Sequence, residues 1–557
     1  GRRVTAEAAA VTQLAEACAR LPLALRIAAA DLSSRPHETV TDYVARLRRD
    51  NGLDTLAVRD DEQMAVRAAF EVSYRALPAS ARRMFRCFGL VPGAEITAES
   101  GAAMLGVTRD GAASLLARLA DAHLVAEREP GRFGCHDLLR LYATELAQGP
   151  EGETVLHRLL GWYLSTADVA AQRLYPQRAR MPLPESLVLP APLELSDHAD
   201  ARAWLDAERS NLTESIRYAS EHGPLVFAYT LADTLHGYYW LCMRTVEWAV
   251  AAHAALSAAQ ADRNEQAEAA GHLSLGRLHW RLERFDDAIQ ELHLAIDCAR
   301  RAHWAEGESG ALGALGPVYR MTGRLRAARA TLEQALELAR RTGWTGGEAV
   351  NLNNLSIVAT DLGLLDEAVD YCHASLILAR KNRAVGSQAL VLHNLGAALY
   401  WMGRLDEARE RLTEALQLHI ETGSRGQATT LNVLARIHRD RCERDKADDL
   451  AKAALALSRE PPEPRLEASV LHTIGSLHGS VDTLMEALAL ARGAGDRFTE
   501  AHVLIDLAGL GAGDPRALLA QAQAIARACE YGVLQRLCSD ALSGKGGVDH
   551  ATLQVHQ

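Results

Sequence analysis

From residue 265 onward the sequence repeats itself every forty residues, and that period limits what the chain can become. The stretches LGRLHWRLERFDDAI, LGPVYRMTGRLRAAR, LSIVATDLGLLDEAV, LGAALYWMGRLDEAR and LARIHRDRCERDKAD each carry a small residue late in the motif. These are Ala288, Ala328, Ala368, Ala408 and Ala447, spaced 40, 40, 40 and 39 apart. A second small position falls at Gly276, Gly316, Ser356, Gly396 and Ala435, and a third at Ala295, Ala335, Ser375, Ala415 and Ala454. Each motif reads as two amphipathic helices around a short turn, with Gly323, Gly363 and Gly403 at three of the turns. Where two helices cross closely, only Gly, Ala or Ser fits between the backbones. A plain helical bundle has no reason to keep such a phase, so a stacked α-solenoid is predicted.

This pattern resembles the tetratricopeptide (TPR) repeat, with helices longer than those of the usual ~34-residue unit. Stepping back forty residues from Ala288 reaches Trp248, in a divergent first unit. Beyond Ala454, VLHTIGSLHGSVDTLMEALALAR and LIDLAGLGAGDPRALLAQAQAIAR read as shortened units, and the tail after SGKGG (Ser543 to Gly547) as frayed. The expected array covers residues 201–557, with roughly seven to eight repeats.

Upstream the texture changes. Residues 171–195 hold five of the 17 prolines, an extended connector after a helical stretch, so 151–200 is read as helix plus linker. Within 61–150 the pattern is a run of helices, then strand LVAERE, turn EPGR, strand RFGCH and helix DLLRLYATELA, which is the winged-helix plan. Residues 1–60 form a helical subdomain around CARLPLALRIAAADL. The predicted class is mainly α: helical subdomain, winged helix, then solenoid.

The balance of 60 basic and 71 acidic residues, net −11, argues against sequence-independent nucleic-acid binding by the chain as a whole. The candidate reading helix, about Thr108 to Leu119, offers Arg109 and Arg118 but sets Asp110 and Asp121 against them, so direct DNA binding is not expected. Nine scattered cysteines, an odd number without a CxxC pair, point to reduced thiols in a cytoplasm. No apolar run reaches the ~20 residues of a membrane span. With no methionine at Gly1, a fragment or processed form is expected.

GRFGCHDLLRLYA, Gly131 to Ala143, sets a His-Asp pair between a turn and an apolar helix. One reading is structural, with Asp137 capping a helix that begins at Leu138. A metal site needs three or four convergent ligands, and no other His or Cys lies nearby at useful spacing. Hydrolysis needs a nucleophile oriented by His136, and no motif marks one. Neither a metal site nor a catalytic residue is assigned.

LPLAL (Leu21 to Leu25), the winged-helix pattern, HDLLRLYA and the repeats together resemble the C-terminal part of the NB-ARC class of signal-transduction ATPases. Among these, the chain is similar to the streptomycete antibiotic regulatory and AfsR-like regulators, from about Val4 to its end. The resemblance implies that Leu21 and Pro22 lie near an adenine. It also implies that His136, followed by Asp137, reaches a nucleotide phosphate and holds a closed, ADP-bound state. An imidazole on a separate domain would thereby tie domain orientation to nucleotide state. The family usually has Gly before Leu-Pro, whereas Arg20 stands here. No GxxxxGK(S/T) loop occurs, so this chain alone should neither hydrolyse ATP nor need a cofactor. ADP or ATP would belong to the full-length protein, together with nucleotide- and DNA-binding domains further upstream.

The first helices of the repeats should line a concave face with Arg277, Trp280, Arg320, Asn354, Asn394, Tyr400 and Trp401. In peptide-binding TPR proteins an Asn at the phase of Asn354 and Asn394 contacts a ligand backbone. Arginines and aromatics suit a peptide, protein segment or small signal with acidic character. Alternatively, the Asn side chains bond to neighbouring helices and the aromatics fill the core between repeats. The function expected is the sensor half of a nucleotide-gated transcriptional regulator. The rivals are a TPR scaffold with no nucleotide switch, and an anti-phage or stress ATPase of like modules.

Overall fold

The computed structural model describes residues 7–18, 25, 26, 28, 29, 32, 33, 35, 37–50, 70–184, 187, 189–460 and 462–543, the side chains of 16, 17 and 46–50 excepted. The chain divides into two compact units, Gly1–Leu174 with Pro182–Asp262, and Tyr175–Met181 with Arg263–Gln557. The division falls after Asp262, so residues 201–262 of the array expected at 201–557 cluster with the N-terminal unit.

In the first unit, α1 (Ala8–Ala17) and α2 (Val40–Asp50) pack around Leu14, Cys18, Leu32, Tyr43 and Val44. Next come α3 (Ala79–Cys87), β1 (Glu95–Thr97), α4 (Ala98–Leu105), α5 (Arg109–Asp121), the hairpin β2 (Ala126–Glu129) and β3 (Arg132–Gly134), and α6 (Asp137–Leu146). Local chemistry sets these boundaries. Thr97 and Ser100 form a capping box at the start of α4, and Gly106, at φ 67°, ends it in the left-handed region. Thr108 caps α5 by accepting from Gly111 N–H. The strands make one antiparallel sheet in the order β1-β3-β2, pairing Ile96 with Phe133 and Ala126 with Gly134. Tyr74, Phe85 and Tyr142 meet ring to ring, with centroids 5.7 to 6.2 Å apart.

The unit continues through α7 (Pro150–Leu174), α8 (His198–His222), α9 (Leu225–Cys242) and α10 (Thr245–Asp262). Helix α9 is buried on nearly every side from Phe227 to Tyr239, its polar residues Thr230, Asp233, Thr234 and His236 included.

The second unit is a run of helix pairs. These are α11 (Glu265–Arg281) and α12 (Phe285–Arg301), α13 (Ala305–Met321) and α14 (Leu325–Thr342), α15 (Thr345–Leu362) and α16 (Leu365–Lys381), and α17 (Val385–Trp401) and α18 (Leu405–Glu421). Then follow α19 (Gly426–Asp440) and α20 (Arg444–Arg459), α21 (Pro464–His478) and α22 (Val481–Gly493), α23 (Arg497–Gly509) and α24 (Pro515–Ala528), and a last helix, α25 (Gly532–Leu542). The small residues sit at the crossings. Ala288, Ala328, Ala368, Ala408 and Ala447 are wholly buried. A Cβ on Gly316 would lie 2.4 Å from Leu332 Cγ, and one on Gly396 would lie 2.5 Å from Leu412 Cγ. The start of the proline-rich connector belongs to this unit, with Gln177 backbone 2.8 Å from where a Cβ on Gly346 would stand.

Candidate functional site

His136 lies two residues beyond the end of β3 and caps α6. Its Nδ1 accepts from Leu138 N–H at 3.4 Å, a long bond. The cap is therefore His136, with Asp137 as first helical residue, one position earlier than the structural reading of the sequence expected. Asp137 there sets a carboxylate against the positive end of the helix dipole. Both side chains are exposed, and so are Leu138 (37%) and Leu141 (63%) on the same helix. Leu21 and Pro22 lie outside the described residues.

The base under His136 is held by charge. Arg140 Nη2 donates to the carbonyls of Val91, Pro92 and Gly93, which ties α6 to the loop before β1. Arg132 on β3 pairs with Glu95 at 2.7 Å and with Glu208 of α8 at 2.6 Å. Glu208 is buried, and its other oxygen accepts from Asn211 at 2.8 Å and from Tyr163 at 3.2 Å. A buried carboxylate with this many donors makes the hairpin and α8 move as one body.

On the first helices of the repeats, each expected groove residue can be placed. Arg320 pairs with Asp361 at 2.6 Å. Asn354 donates to Gly313 O at 3.2 Å, and Asn394 donates to Asn353 Oδ1 at 2.8 Å. Tyr400 donates to Asp440 at 2.8 Å. Trp401 meets the rings of His502 and Phe498 at 5.7 and 6.2 Å. Trp280 joins the apolar cluster of Leu273, Leu292 and Leu312, and Arg277 is half-buried. The four polar contacts run from one repeat to an adjacent one, 40 or 41 residues away.

The same logic extends to residues not singled out in the sequence. Arg439 donates to Asp440 at 2.8 Å and to Ser476 at 3.0 Å. Arg436 donates to Thr473 at 3.1 Å and to His472 Nδ1 at 3.3 Å, while His472 Nε2 meets Asp506 at 2.8 Å. Polar residues spaced 34 to 37 positions apart were the available signal.

His472, His502 and Asp506 place three ligand atoms within 4.8 Å of one another, all buried. Their surroundings do not suit a metal ion. Burial favours neutral His472, whose Nε2–H then donates to Asp506 while Nδ1 accepts from Arg436. A metal on Nε2 would move that proton to Nδ1, against the guanidinium. Two arginines already balance Asp440 and Asp506, so a divalent ion would add uncompensated buried charge. The cluster is a hydrogen-bond relay between successive repeats.

The comparisons agree with this fold. Residues 265–341 and 387–460 match the model of the tetratricopeptide repeat. The second unit is thus a TPR solenoid. Regulatory protein AfsR of Streptomyces griseus is 33% identical over 310 residues, 54% of this chain and 31% of that protein. Regulatory protein AfsR of Streptomyces coelicolor is 38% identical over 174 residues, 30% of this chain and 17% of that protein. The chain is AfsR-like and TPR-containing, and the matched stretches span under a third of those relatives. A crystal structure of a signal transduction ATPase with numerous domains, bearing a tetratricopeptide repeat sensor, from Pyrococcus horikoshii, superposes with TM-score 0.57 at 14% identity. The match covers 94% of this chain and 75% of that one. At that identity the likeness speaks for the fold. No helix among the described residues is long and apolar enough to cross a membrane.

Proposed function

We propose that this chain is the sensor half of a nucleotide-gated transcriptional regulator of the AfsR-like, NB-ARC kind. The TPR face receives a peptide, a protein segment or a small molecule. The module from α3 to α6, read as a winged helix, carries that signal to ADP or ATP held by a phosphate loop elsewhere in the full-length protein. Leu21, Pro22, His136 and Asp137 are its nucleotide contacts, and the protein works in the cytoplasm. In this reading the chain's part is to bind and to move.

The observation that carries the reading is the setting of His136. An exposed imidazole stands at the N-terminus of α6, where the positive end of the helix dipole favours an anion. It is mounted on a base that Arg132 and Arg140 make rigid. Similarity to AfsR over 54% of the chain supports the regulator reading. His136→Ala in the full-length protein should raise basal transcriptional output about tenfold or more by weakening the ADP-held state. A folded variant with unchanged or reduced output would overturn it.

The pairing of Arg320 with Asp361 and of Arg439 with Asp440 revises the ligand chemistry. With those guanidiniums already neutralised, the face suits an uncharged or apolar segment better than an acidic one. It also favours a second reading, a TPR scaffold without a switch. ADP bound to the purified full-length protein supports the first reading, and its absence supports the second.

A further inference from the structure

The last helices reach back across the solenoid. Glu530, between α24 and α25, pairs with Arg326 at 2.9 Å and accepts from Arg326 backbone N–H at 3.2 Å, a contact spanning 204 residues. Arg536 on α25 donates to Gly363 O at 3.2 Å, across 173 residues. The chain between these residues is folded into helical repeats, so the contact is a tertiary one that stands on what it packs. Its core is one apolar cluster that joins Leu325, Leu362, Leu365 and Trp401 to Tyr531 and Leu534.

Three glycines set how closely the surfaces approach. A Cβ on Gly532 would lie 2.0 Å from Leu362 O, and backbone cannot yield as a side-chain tip can. A Cβ on Gly323 would lie 2.7 Å from Cys529 Sγ, and one on Gly363 would lie 2.9 Å from Arg536. The rim is wet, with the Arg326 side chain 85% exposed. This interface is a thin seam with a polar edge, unlike the leucine-filled crossings inside each repeat.

We propose that α24–α25 is a clasp, opening and closing as a unit, that holds the TPR coil wound by seating on the α13–α14 and α15–α16 turns. The state of the clasp reaches Trp401, a candidate groove residue, through two ring contacts. Tyr531 packs on Phe498 at 5.2 Å, and Phe498 packs on Trp401 at 6.2 Å. A ligand that fits the wound coil therefore tightens the clasp, and one needing a wider coil releases it. That gating rests on the sensor reading above, whereas the clasp rests on packing alone.

Hydrogen exchange on the intact chain tests it. In a helix, Gly→Ala ordinarily stabilises. Gly493→Ala, at the end of α22 with nothing within 4 Å of its Cβ, should leave exchange unchanged or slower. Gly532→Ala should do the reverse, speeding exchange about tenfold or more in α25 and in both turns together. Glu530→Lys, which sets like charge against Arg326 without entering the core, should act at the same sites and less so at high salt. If Gly532→Ala fails to fold, Glu530→Lys decides. Unchanged exchange at the Gly323 and Gly363 turns, or loosening of α25 without them, overturns the clasp. No ligand is needed, so failure of the clasp and failure of the sensor reading are told apart.

Discussion

His393 on α17 points its Nδ1 at Thr430 Oγ1, 3.0 Å away on α19. Burial, with a smaller contribution from His419, pushes its pKa from 6.5 down to about 4. Burial also lowers His419 and His472. The unfolded chain binds these protons more readily than the folded one. Stability is therefore fully present above pH 6.5 and is lost as the pH falls toward 4. For His393 the loss is up to about 3 kcal/mol, less where solvent reaches the ring. His393→Gln should flatten the fall of Tm between pH 6.5 and 4.5, and an equally steep fall in the variant would place the titration elsewhere. At this scale the sequence was half legible. Phase alone marked Arg320, Asn354, Asn394 and Tyr400 as a set, but their partners, Asp361, Gly313, Asn353 and Asp440, are each one repeat away and carry no motif. His136 was found by its surroundings in the sequence, yet its role as helix cap depended on one residue of register.

Between helices, the forty-residue phase has a measurable physical basis. A methyl on Gly316 would meet Leu332 Cγ at 2.4 Å, and Leu332 is fully buried. Gly316→Ala gains about 1 kcal/mol of helix propensity but overpacks the α13–α14 crossing at about 1–3 kcal/mol. It should lower the denaturation midpoint. Leu332→Ala alone should cost about 2–5 kcal/mol through its cavity. The double variant should be less destabilised than the sum by about 0.5 kcal/mol or more, since each change relieves the other. Strict additivity would mean that the two residues do not share the crossing. Such crossings were readable because both partners lie within one repeat. The seam at Gly532 was not, because its contacts span 173 and 204 residues of sequence and a glycine opening a helix carries no local sign of what lies above it. The sheet of the first unit falls between these cases: its hairpin showed in EPGR, whereas the pairing of β1 with β3 spans distant residues and had no signature.

Over the molecule as a whole, charge argues against DNA reading. The chain carries net −11, and phosphate contacts need a basic face. On α5, the helix a winged-helix protein would offer to a groove, Arg109 is held by Glu99 at 2.6 Å and faces Asp110 at 3.8 Å. Those carboxylates would have to be displaced before a phosphate could take their place. Arg118 is exposed on the same helix, but one guanidinium supplies only a single unit of counterion release. Micromolar protein should therefore not retard a random duplex at about 50 mM salt, where non-specific binders hold DNA most tightly. Retardation that disappears steeply as salt rises would show that a local basic field outweighs the net charge, and α5 would have to be reconsidered as a reading helix. If no retardation occurs, any transcriptional effect of the full-length protein must reach DNA through another domain. What these residues could contribute is then conformational: the winding of the solenoid, the seating of its clasp and the position of His136.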